Sequence, residues 1–424
     1  AGVEKPDQRI MLSREETLAQ EPLLKDEVVE GAGYYAEYRT DDARLTLEVL
    51  KTAAEFGARP INYTEVTDFV YENGKVTGAE CKDLLSGETY QIKARQVVSA
   101  AGPWVDELRD KDGSLKGKRL HLTKGVHIVI PREKMPLKQS VYFDVPDGRM
   151  VFAIPRGQVT YIGTTDTDYH GDKNHPRTLK EDVMYLVDGT NNLFPEINLR
   201  FEDVMSSWAG LRPLIHEDGK SASELSRKDE IFTSDSGLIS IAGGKLTGYR
   251  KMAERTVDAV IERIKPQLTQ RLRACYTDKI DITGGKSFPD ATTVDQYRER
   301  LAGRLASHGL GADEAWYLVH NYGDQADEIV TEMDQSSYAG EAAMIDAELR
   351  FCVAHEMVQS AVDFFSRRTG RMYFNIHSVR THREQVLRTL EGVLQWSAER
   401  ITQEKAWLDM ALEEAAVFPE TIPA

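Results

Sequence analysis

Cysteine is scarce in this chain: there are three, Cys81, Cys275 and Cys352. They are scattered and form no CxxC pair, which excludes a disulfide framework and makes a reducing compartment the simplest setting. No apolar run approaches the roughly 18–20 residues that span a bilayer, so no transmembrane helix is expected, and no secretory signal pattern is visible. Basic residues are also in deficit, with 53 Lys and Arg against 69 Asp and Glu, a net charge of −16. Nucleic-acid binding wants a basic face and is excluded as a general role, whereas a local basic pocket for an anionic metabolite is not. A phosphate-gripping glycine loop is missing too. Gly31-Ala32-Gly33-Tyr34-Tyr35-Ala36 spells G-x-G-x-x-A, but a dinucleotide fingerprint follows a buried strand and opens a helix. Here KDEVVE precedes it and EYRTDD follows, and neither fits. The chain opens at Ala1 on a polar stretch with no early strand, which reads as a processed start or a fragment.

What is present is ordinary globular composition, 41% hydrophobic and 29% charged over 424 residues, a length for roughly two or three domains. Ser13 with Glu16 predicts a capping box at the head of a short helix. Asp41 or Asp42 caps a stronger helix with Leu45, Val49, Leu50, Ala53 and Phe56 on one face, ended by Gly57. From 58 to 100 the period shortens to that of strands, with Asn73-Gly74 as a hairpin turn and Ser86-Gly87 as a weaker one. Strands dominate again over 120–165, and a helix is expected near 178–194. Residues 202–214 read as a strand running into a loop, and 237–264 as strand, glycine turn and helix. Beyond 290 the pattern is helical over 291–308, 312–334, 341–366 and 378–417. The change near Pro266 to Gly285 is the best domain boundary.

Several stretches carry chemistry. VVSAAGPWVDEL at 97–108 ends a buried strand in small residues before Pro103 starts a helix; this suits either close packing or close approach of a ligand to backbone. ISIAGGKLTGYRKMAE at 239–254 ends a strand in Gly243-Gly244. The helix start there favours negative charge, and Lys245 adds a cation; a capped helix with a solvated lysine is the plainer alternative. Arg212, in the apolar WAGLRPLI, suits a phosphate or carboxylate, or an internal ion pair. His127, in the apolar GVHIVIP, is either a satisfied core residue or a base with the ordinary pKa of about 6.5. Asp166, Asp168, His170 and Asp172 do not form a recognised ligand spacing, and no metal is expected.

Taken in order, YRTDDARL, SAAGPWVDEL, LTKGVHIVIPR, GTTDTDY, WAGLRPLI, GGKLTGYRKMAE and SRRTGRMYFN resemble the FAD-dependent glycerol-3-phosphate dehydrogenase family, among the D-amino-acid-oxidase-like flavoproteins. The resemblance covers nearly the whole chain, but the family's N-terminal part, with its glycine-rich FAD loop, has no counterpart. It implies oxidation of sn-glycerol 3-phosphate to dihydroxyacetone phosphate, with hydride passing from C2 to flavin N5. It implies Arg212 as the arginine on the substrate phosphate, His127 as base or orienter near the reacting carbon, and Lys245 between flavin and phosphate. Gly243, Gly244, Leu246 and Thr247 resemble the turn at the flavin's pyrimidine edge; Ala101, Gly102 and Trp104 resemble a strand end by the FAD; and Val66 is placed by the adenine.

The expected fold class is an α/β FAD-binding domain interleaved with a β-rich (α+β) substrate cap, plus a C-terminal all-α domain. The expected limits are 1–35 for part of the cap, 36–120 for part of the FAD domain, 121–226 for the cap, 227–280 for the FAD domain again and 281–424 for the helical domain. The resemblance further implies FAD as cofactor, a membrane quinone as electron acceptor, and a cytoplasmic protein peripheral on the inner face of the cell membrane, with a homodimer left open. The alternatives are an oxidase of the same fold that makes hydrogen peroxide, and a non-catalytic fragment without the FAD pyrophosphate loop.

Overall fold

The structure is a computed structural model that describes residues 8–216, 228–269 and 272–421. Strands β1 (Ile10–Ser13) and β2 (Gly31–Tyr34) pair antiparallel, Ser13 opposite Gly31. Gly31-Ala32-Gly33 is therefore part of a ribbon and not a turn into a helix. Between the two strands, α1 (Arg14–Gln20) starts on Ser13, whose hydroxyl accepts from Glu16 N while Glu16 caps back, the box predicted from sequence. Helix α2 (Asp42–Glu55) starts on the Asp41 side chain, which accepts from Arg44 N.

Strands β3 (Thr64–Glu72), β4 (Lys75–Asp83) and β5 (Thr89–Lys93) form an antiparallel meander. Asn73 and Gly74 both take positive φ, 51° and 73°, as a mirror-image hairpin turn requires. Strand β6 (Val98–Ser99) leads through a 3-10 turn, Gly102–Trp104, into α3 (Val105–Lys111).

The largest sheet has six strands. It is built from β7 (Arg119–Pro131), β8 (Val141–Asp144), β9 (Met150–Arg156), β10 (Val159–Gly163) and β11 (Thr167–Asp168) and, after helix α4 (Lys180–Leu193), β12 (Ser206–His216). The central β7 is flanked by β12 on one side and by β10 and β11 on the other, all antiparallel. Strand β12 runs on to His216, where the sequence suggested a loop. Pro213 lies within the strand: among the described residues β12 pairs only with β7, and an edge tolerates a missing N–H. Side chains alternate across the sheet. Val126, Ile128 and Ile130 join Val151, Ile162 and the α4 residues Val183 and Leu186 in one core. The alternate positions of β7, Gly125 and His127 among them, turn to the opposite face.

After β13 (Asp229–Thr233), strand β14 (Ile239–Gly243) pairs antiparallel with β13 and parallel with β6. A 3-10 turn, Leu246–Gly248, then opens α5 (Tyr249–Ile264). Two parallel strands that each lead into a helix make this the α/β part, and the six-stranded sheet is inserted between them in sequence. The boundary expected at 226/227 lies outside the described residues.

The remainder is helical: α6 (Ala291–Leu305), α7 (Ala312–Tyr322), α8 (Ala326–Met333), α9 (Gly340–His355), α10 (Arg371–Phe374), α11 (Ile376–Leu394) and α12 (Ala398–Ala416), around one core that includes Tyr322, Phe364 and Phe365. Three expected helices are broken. Residues 312–334 split at Gly323, at φ +58°, where a Cβ would overlap the carbonyl oxygen of Gly284. Residues 378–417 split at Gln395, at φ 53°. The third, 341–366, stops at His355, and a π-helical turn, Asp363–Arg368, follows. Helix α2 is tied to this domain by a buried network. Arg44 donates to both carboxylate oxygens of Glu356 at 2.7 Å and to Glu48 at 2.7 Å, and its guanidinium lies 4.4 Å from the Tyr322 ring.

Candidate active site

His127 sits in the middle of β7, opposite Trp208 on β12 and Gly163 on β10. Directly opposed residues of antiparallel strands project to the same face. The imidazole therefore lies on the Trp208 indole, centroids 4.6 Å apart and planes 9° apart. Gly163 makes room on the other side, since a Cβ there would strike the His127 ring. His127 Nδ1 is buried and has no hydrogen-bond partner among the described residues. Burial first, and the charge of Arg212 second, pull its pKa from 6.5 to about 3, so the ring is neutral at physiological pH. This differs from the ordinary value expected from sequence, and the cause is the aromatic enclosure that a strand reading of β7 alone does not show.

Arg212 stands on the same face, opposite Thr123. His127 and Thr123 are four positions apart on β7, about 13 Å at 3.3 Å per residue. The guanidinium lies across Gly125, where a Cβ would come within 2.5 Å of both terminal nitrogens. It donates to Thr164 Oγ1 at 2.8 Å and to the Thr165 carbonyl at 3.1 Å. Asp166 Oδ1 lies 3.4 Å from one of its terminal nitrogens. The side chain keeps 31% of its surface exposed, so an anion can reach it.

The third group of candidates gathers at the ends of the parallel strands. Ser240 of β14 pairs with Ser99 of β6, so Gly243-Gly244 and Ala101-Gly102 follow at the same carboxyl edge. That edge is where open α/β sheets take ligands. Gly102, Gly243 and Gly244 all have positive φ, 54°, 76° and 83°. A Cβ on Gly102 would meet nothing within 4 Å, and Ser99 Oγ is buried without a partner among the described residues. Trp104 and Leu246 are 37% and 40% exposed beside it, and Thr247 and Lys245 are exposed as well. Small residues, an unpartnered hydroxyl and uncovered apolar surface fit the flat body of a flavin. Helix α5 begins at Tyr249, behind the 3-10 turn that Lys245 heads. A Cβ on Gly243 would come within 3.1 Å of Ile215 Cγ1, which links this edge to β12 three positions past Arg212. Val66 stands apart in the meander, at a β-bulge and 38% exposed.

Sequence reasoning missed the residues that seat these groups: Gly125 and Gly163, which leave room for Arg212 and His127; Trp208, which stacks on His127; and Thr164 and Thr165, which hold Arg212. A signal for Trp208 existed, because two-residue alternation puts it on the face of Arg212, four positions away. The glycine signals become readable only once the register between β7, β10 and β12 is known. Among the described residues no group of three or more His, Cys, Asp or Glu is arranged to hold a metal. Of the acidic loop, Asp168 Oδ1 lies in hydrogen-bonding contact with His121 Nε2 at 2.8 Å.

A family model described as FAD dependent oxidoreductase matches residues 2–250, and one described as the C-terminal domain of alpha-glycerophosphate oxidase matches residues 275–401. The aerobic glycerol-3-phosphate dehydrogenase of Bacillus subtilis (strain 168) is 46% identical over 421 residues, covering 98% of this chain and 76% of that protein. The enzyme of the same name from Staphylococcus aureus (strain USA300) is 46% identical over 419 residues, covering 98% and 75%. Among solved structures, the glycerol-3-phosphate dehydrogenase of Bacillus halodurans complexed with FAD is similar at 46% identity and a TM-score of 0.87, over 98% of this chain and 81% of that one. The two-part fold, the glycine-edged strand ends and these matches together place the chain in the FAD-dependent glycerol-3-phosphate dehydrogenase family.

Proposed function

We propose that the protein oxidises sn-glycerol 3-phosphate to dihydroxyacetone phosphate with FAD as its cofactor. One observation carries this reading at the level of residues. His127, with an unpartnered Nδ1, and Arg212, with a seat cleared by Gly125, share one sheet face beside the carboxyl edge of the parallel strands. Bound FAD supplies the two-electron acceptor for the C2 hydride.

The chain's own residues do the rest. Arg212 grips the phosphate with its planar fork and so fixes where C2 lies. Thr164 and Thr165 keep that fork from swinging away. Neutral His127 accepts a hydrogen bond from the C2 hydroxyl and draws off its proton as the carbonyl forms. The charge of Arg212 opposes protonation of His127 in the free protein; a dianionic phosphate on Arg212 offsets that charge and raises the basicity of the ring. Substrate binding thereby readies the base. Trp208, stacked on the imidazole, holds it in orientation. Lys245, at the glycine edge, adds positive potential where charge builds on reduction. Gly243, Gly244, Leu246 and Thr247 form the edge for the flavin's pyrimidine side, Ala101, Gly102 and Trp104 the neighbouring strand end, and Val66 the more distant adenine contact.

A membrane quinone is the acceptor we propose, with the protein cytoplasmic and peripheral on the inner face of the membrane. Among the described residues no helix is long and apolar enough to cross a membrane. A homodimer is the assembly to be checked by light scattering. The decisive test is anaerobic reduction of the flavin-loaded protein by sn-glycerol 3-phosphate. Arg212→Ala should lower kcat/KM by about 100-fold or more, the loss of roughly 3 kcal/mol of charged hydrogen bonding, and Arg212→Lys should recover only part of it. Unchanged reduction by Arg212→Ala would remove the assignment. Under air, a quinone analogue reduced without hydrogen peroxide supports the dehydrogenase, and stoichiometric peroxide supports the oxidase.

A further inference from the structure

Two stretches singled out in the sequence, YRTDDARL and SRRTGRMYFN, contribute nothing to the catalytic set described above. The structure joins them at the stacking partner of His127. SRRTGRMYFN lies in the helical domain and contains α10. Its Arg371 is buried, ion-paired with Glu348 at 3.0 Å and Glu341 at 3.3 Å, and donates to Ser378 Oγ at 3.1 Å. These bonds root α10 in the helical core, since a buried charge stripped of its partners is costly. Gly370 precedes α10 at φ +65°, and a Cβ there would come within 3.2 Å of Phe374 Cδ2. The glycine thus gives the Phe374 ring its place against the turn.

The two aromatic residues of α10 meet the sheet. Ser206 of β12 donates its hydroxyl to the Tyr373 carbonyl at 2.5 Å. The Tyr373 and Phe374 rings each lie 5.5 Å from the Trp208 indole, at 49° and 70° to it, tilted and edge-on geometries that aromatic pairs favour. Tyr161 of β10 closes the group, 5.8 Å from Phe374 and 5.9 Å from Trp208. Phe374 is also held by Arg156, whose guanidinium lies 4.0 Å from the ring centroid in a cation–π contact and pairs with Asp41 at 2.6 Å. Asp41 is the contribution of YRTDDARL, and through its cap on α2 it is tied to the buried Arg44–Glu356 pair. Trp208 in turn stacks on His127. The His127 Nδ1 has no partner among the described residues, so at this nitrogen the imidazole lacks the hydrogen bond that usually orients a catalytic histidine. Stacking takes over that task.

We propose that the helical domain is part of the catalytic apparatus, and that Phe374 is a positioning residue which, through Trp208, holds the His127 ring in line with the C2 hydroxyl. This rests on the reading of His127 as the base. Without the Phe374 ring, Trp208 is free to tilt and His127 tilts with it. Arg212 is seated separately, by Gly125, Thr164 and Thr165, so the phosphate grip is kept. The loss therefore falls on the rate of the chemical step and not on substrate affinity.

The test is stopped-flow reduction of the flavin-loaded protein by sn-glycerol 3-phosphate without oxygen, which separates the limiting rate from the apparent substrate dissociation constant. Phe374→Leu should lower the limiting rate by about tenfold or more and leave the dissociation constant within about twofold. Phe374 is half-buried, so Phe374→Tyr, which keeps the ring, should recover most of the rate. The deciding comparison is made in a His127→Gln background. A residue that acts through His127 has little left to act on there, and Phe374→Leu should slow that variant by less than about twofold further. A general defect of folding or flavin binding would slow both backgrounds alike. Flavin content and denaturation midpoints are measured on every variant, and Phe374→Met takes the place of Phe374→Leu if the latter loses flavin. A wild-type limiting rate in Phe374→Leu, equal slowing in both backgrounds, a change confined to the dissociation constant, or a rate loss that Phe374→Tyr does not recover would each overturn the proposal and leave the base assignment standing. An unchanged rate in His127→Gln would instead remove His127 as the base, and this proposal with it.

Discussion

Gly125→Ala isolates the seat of Arg212 with a single methyl group. The added Cβ would stand 2.5 Å from both terminal nitrogens of Arg212 and 2.7 Å from Cζ. Ordinary contact begins near 3.4 Å, so the guanidinium must retreat by about 1 Å. Its bonds of 2.8 Å to Thr164 Oγ1 and 3.1 Å to the Thr165 carbonyl then pass beyond useful hydrogen-bonding distance. The displaced atoms are the far end of a flexible side chain, so the backbone is not forced apart. Replacing a strand glycine by alanine returns about 0.5–1 kcal/mol of backbone entropy, which roughly offsets the lost bonds. The denaturation midpoint should hardly move. Catalysis should suffer, because a misplaced fork forfeits about 1.5–3 kcal/mol of charged hydrogen bonding to phosphate. That is a fall of roughly 10- to 150-fold in kcat/KM, chiefly as higher KM, with some loss of kcat because the phosphate grip also orients C2. Gly210 supplies the control. It lies directly opposite Gly125, yet a Cβ there would meet nothing within 4 Å. Steady-state kinetics and urea denaturation on Gly125→Ala and Gly210→Ala decide the matter. Equal kinetics for the two variants would refute the seat, and a large stability loss in Gly125→Ala would show that the strand, not the arginine, takes up the clash.

Other regions make further predictions. His127 is held at about 3 while its unfolded value is 6.5, so between these pH values the unfolded chain binds a proton that the folded chain refuses. The stability this group contributes is complete above about pH 6.5 and is lost as pH falls toward 3; His127→Phe should flatten that part of the urea-midpoint profile, and an unchanged slope would contradict the buried neutral ring. Burial raises the Glu356 pKa, but Arg44 and then Lys51 outweigh it and hold the carboxylate at about 2. Glu356→Gln should therefore cost about 3–5 kcal/mol by stranding buried cations, whereas Arg44→Met with Glu356→Leu should cost less than the single change; denaturant melts of both variants test the ordering. Cys81 and Cys352 are buried and Cys275 is exposed, so a thiol reagent should modify one residue quickly in the native protein and all three in denaturant.

How much of this was legible in the sequence depended on whether the deciding contact was local. The Ser13–Glu16 box, the Asn73-Gly74 turn and the glycine edge after β14 depend on residues a few positions apart, and their sequence signatures were sufficient. The helical domain was legible in kind but not in its breaks. Gly323 breaks a helix because Gly284, far away in sequence, presses its carbonyl into the space a side chain would need, and Gln395 adopts a left-handed backbone with no glycine to announce it. The candidate site shows the same division. The residue types His127, Arg212 and Lys245 stood out singly, each with a plain alternative as a core or paired residue. What favours the functional alternative for two of them is register. Antiparallel pairing sets Trp208 against His127 and Gly210 against Gly125, and only that alignment turns two unremarkable glycines, Gly125 and Gly163, into the spaces that hold a guanidinium and an imidazole. Register is fixed by which face of the sheet is apolar, here the row of Val126, Ile128 and Ile130 packed on α4. The packing of the core face thus determines the geometry of the opposite face, where the chemistry is placed. A one-residue slip between β7 and β12 would send His127 and Arg212 to opposite sides of the sheet while leaving every sequence motif intact.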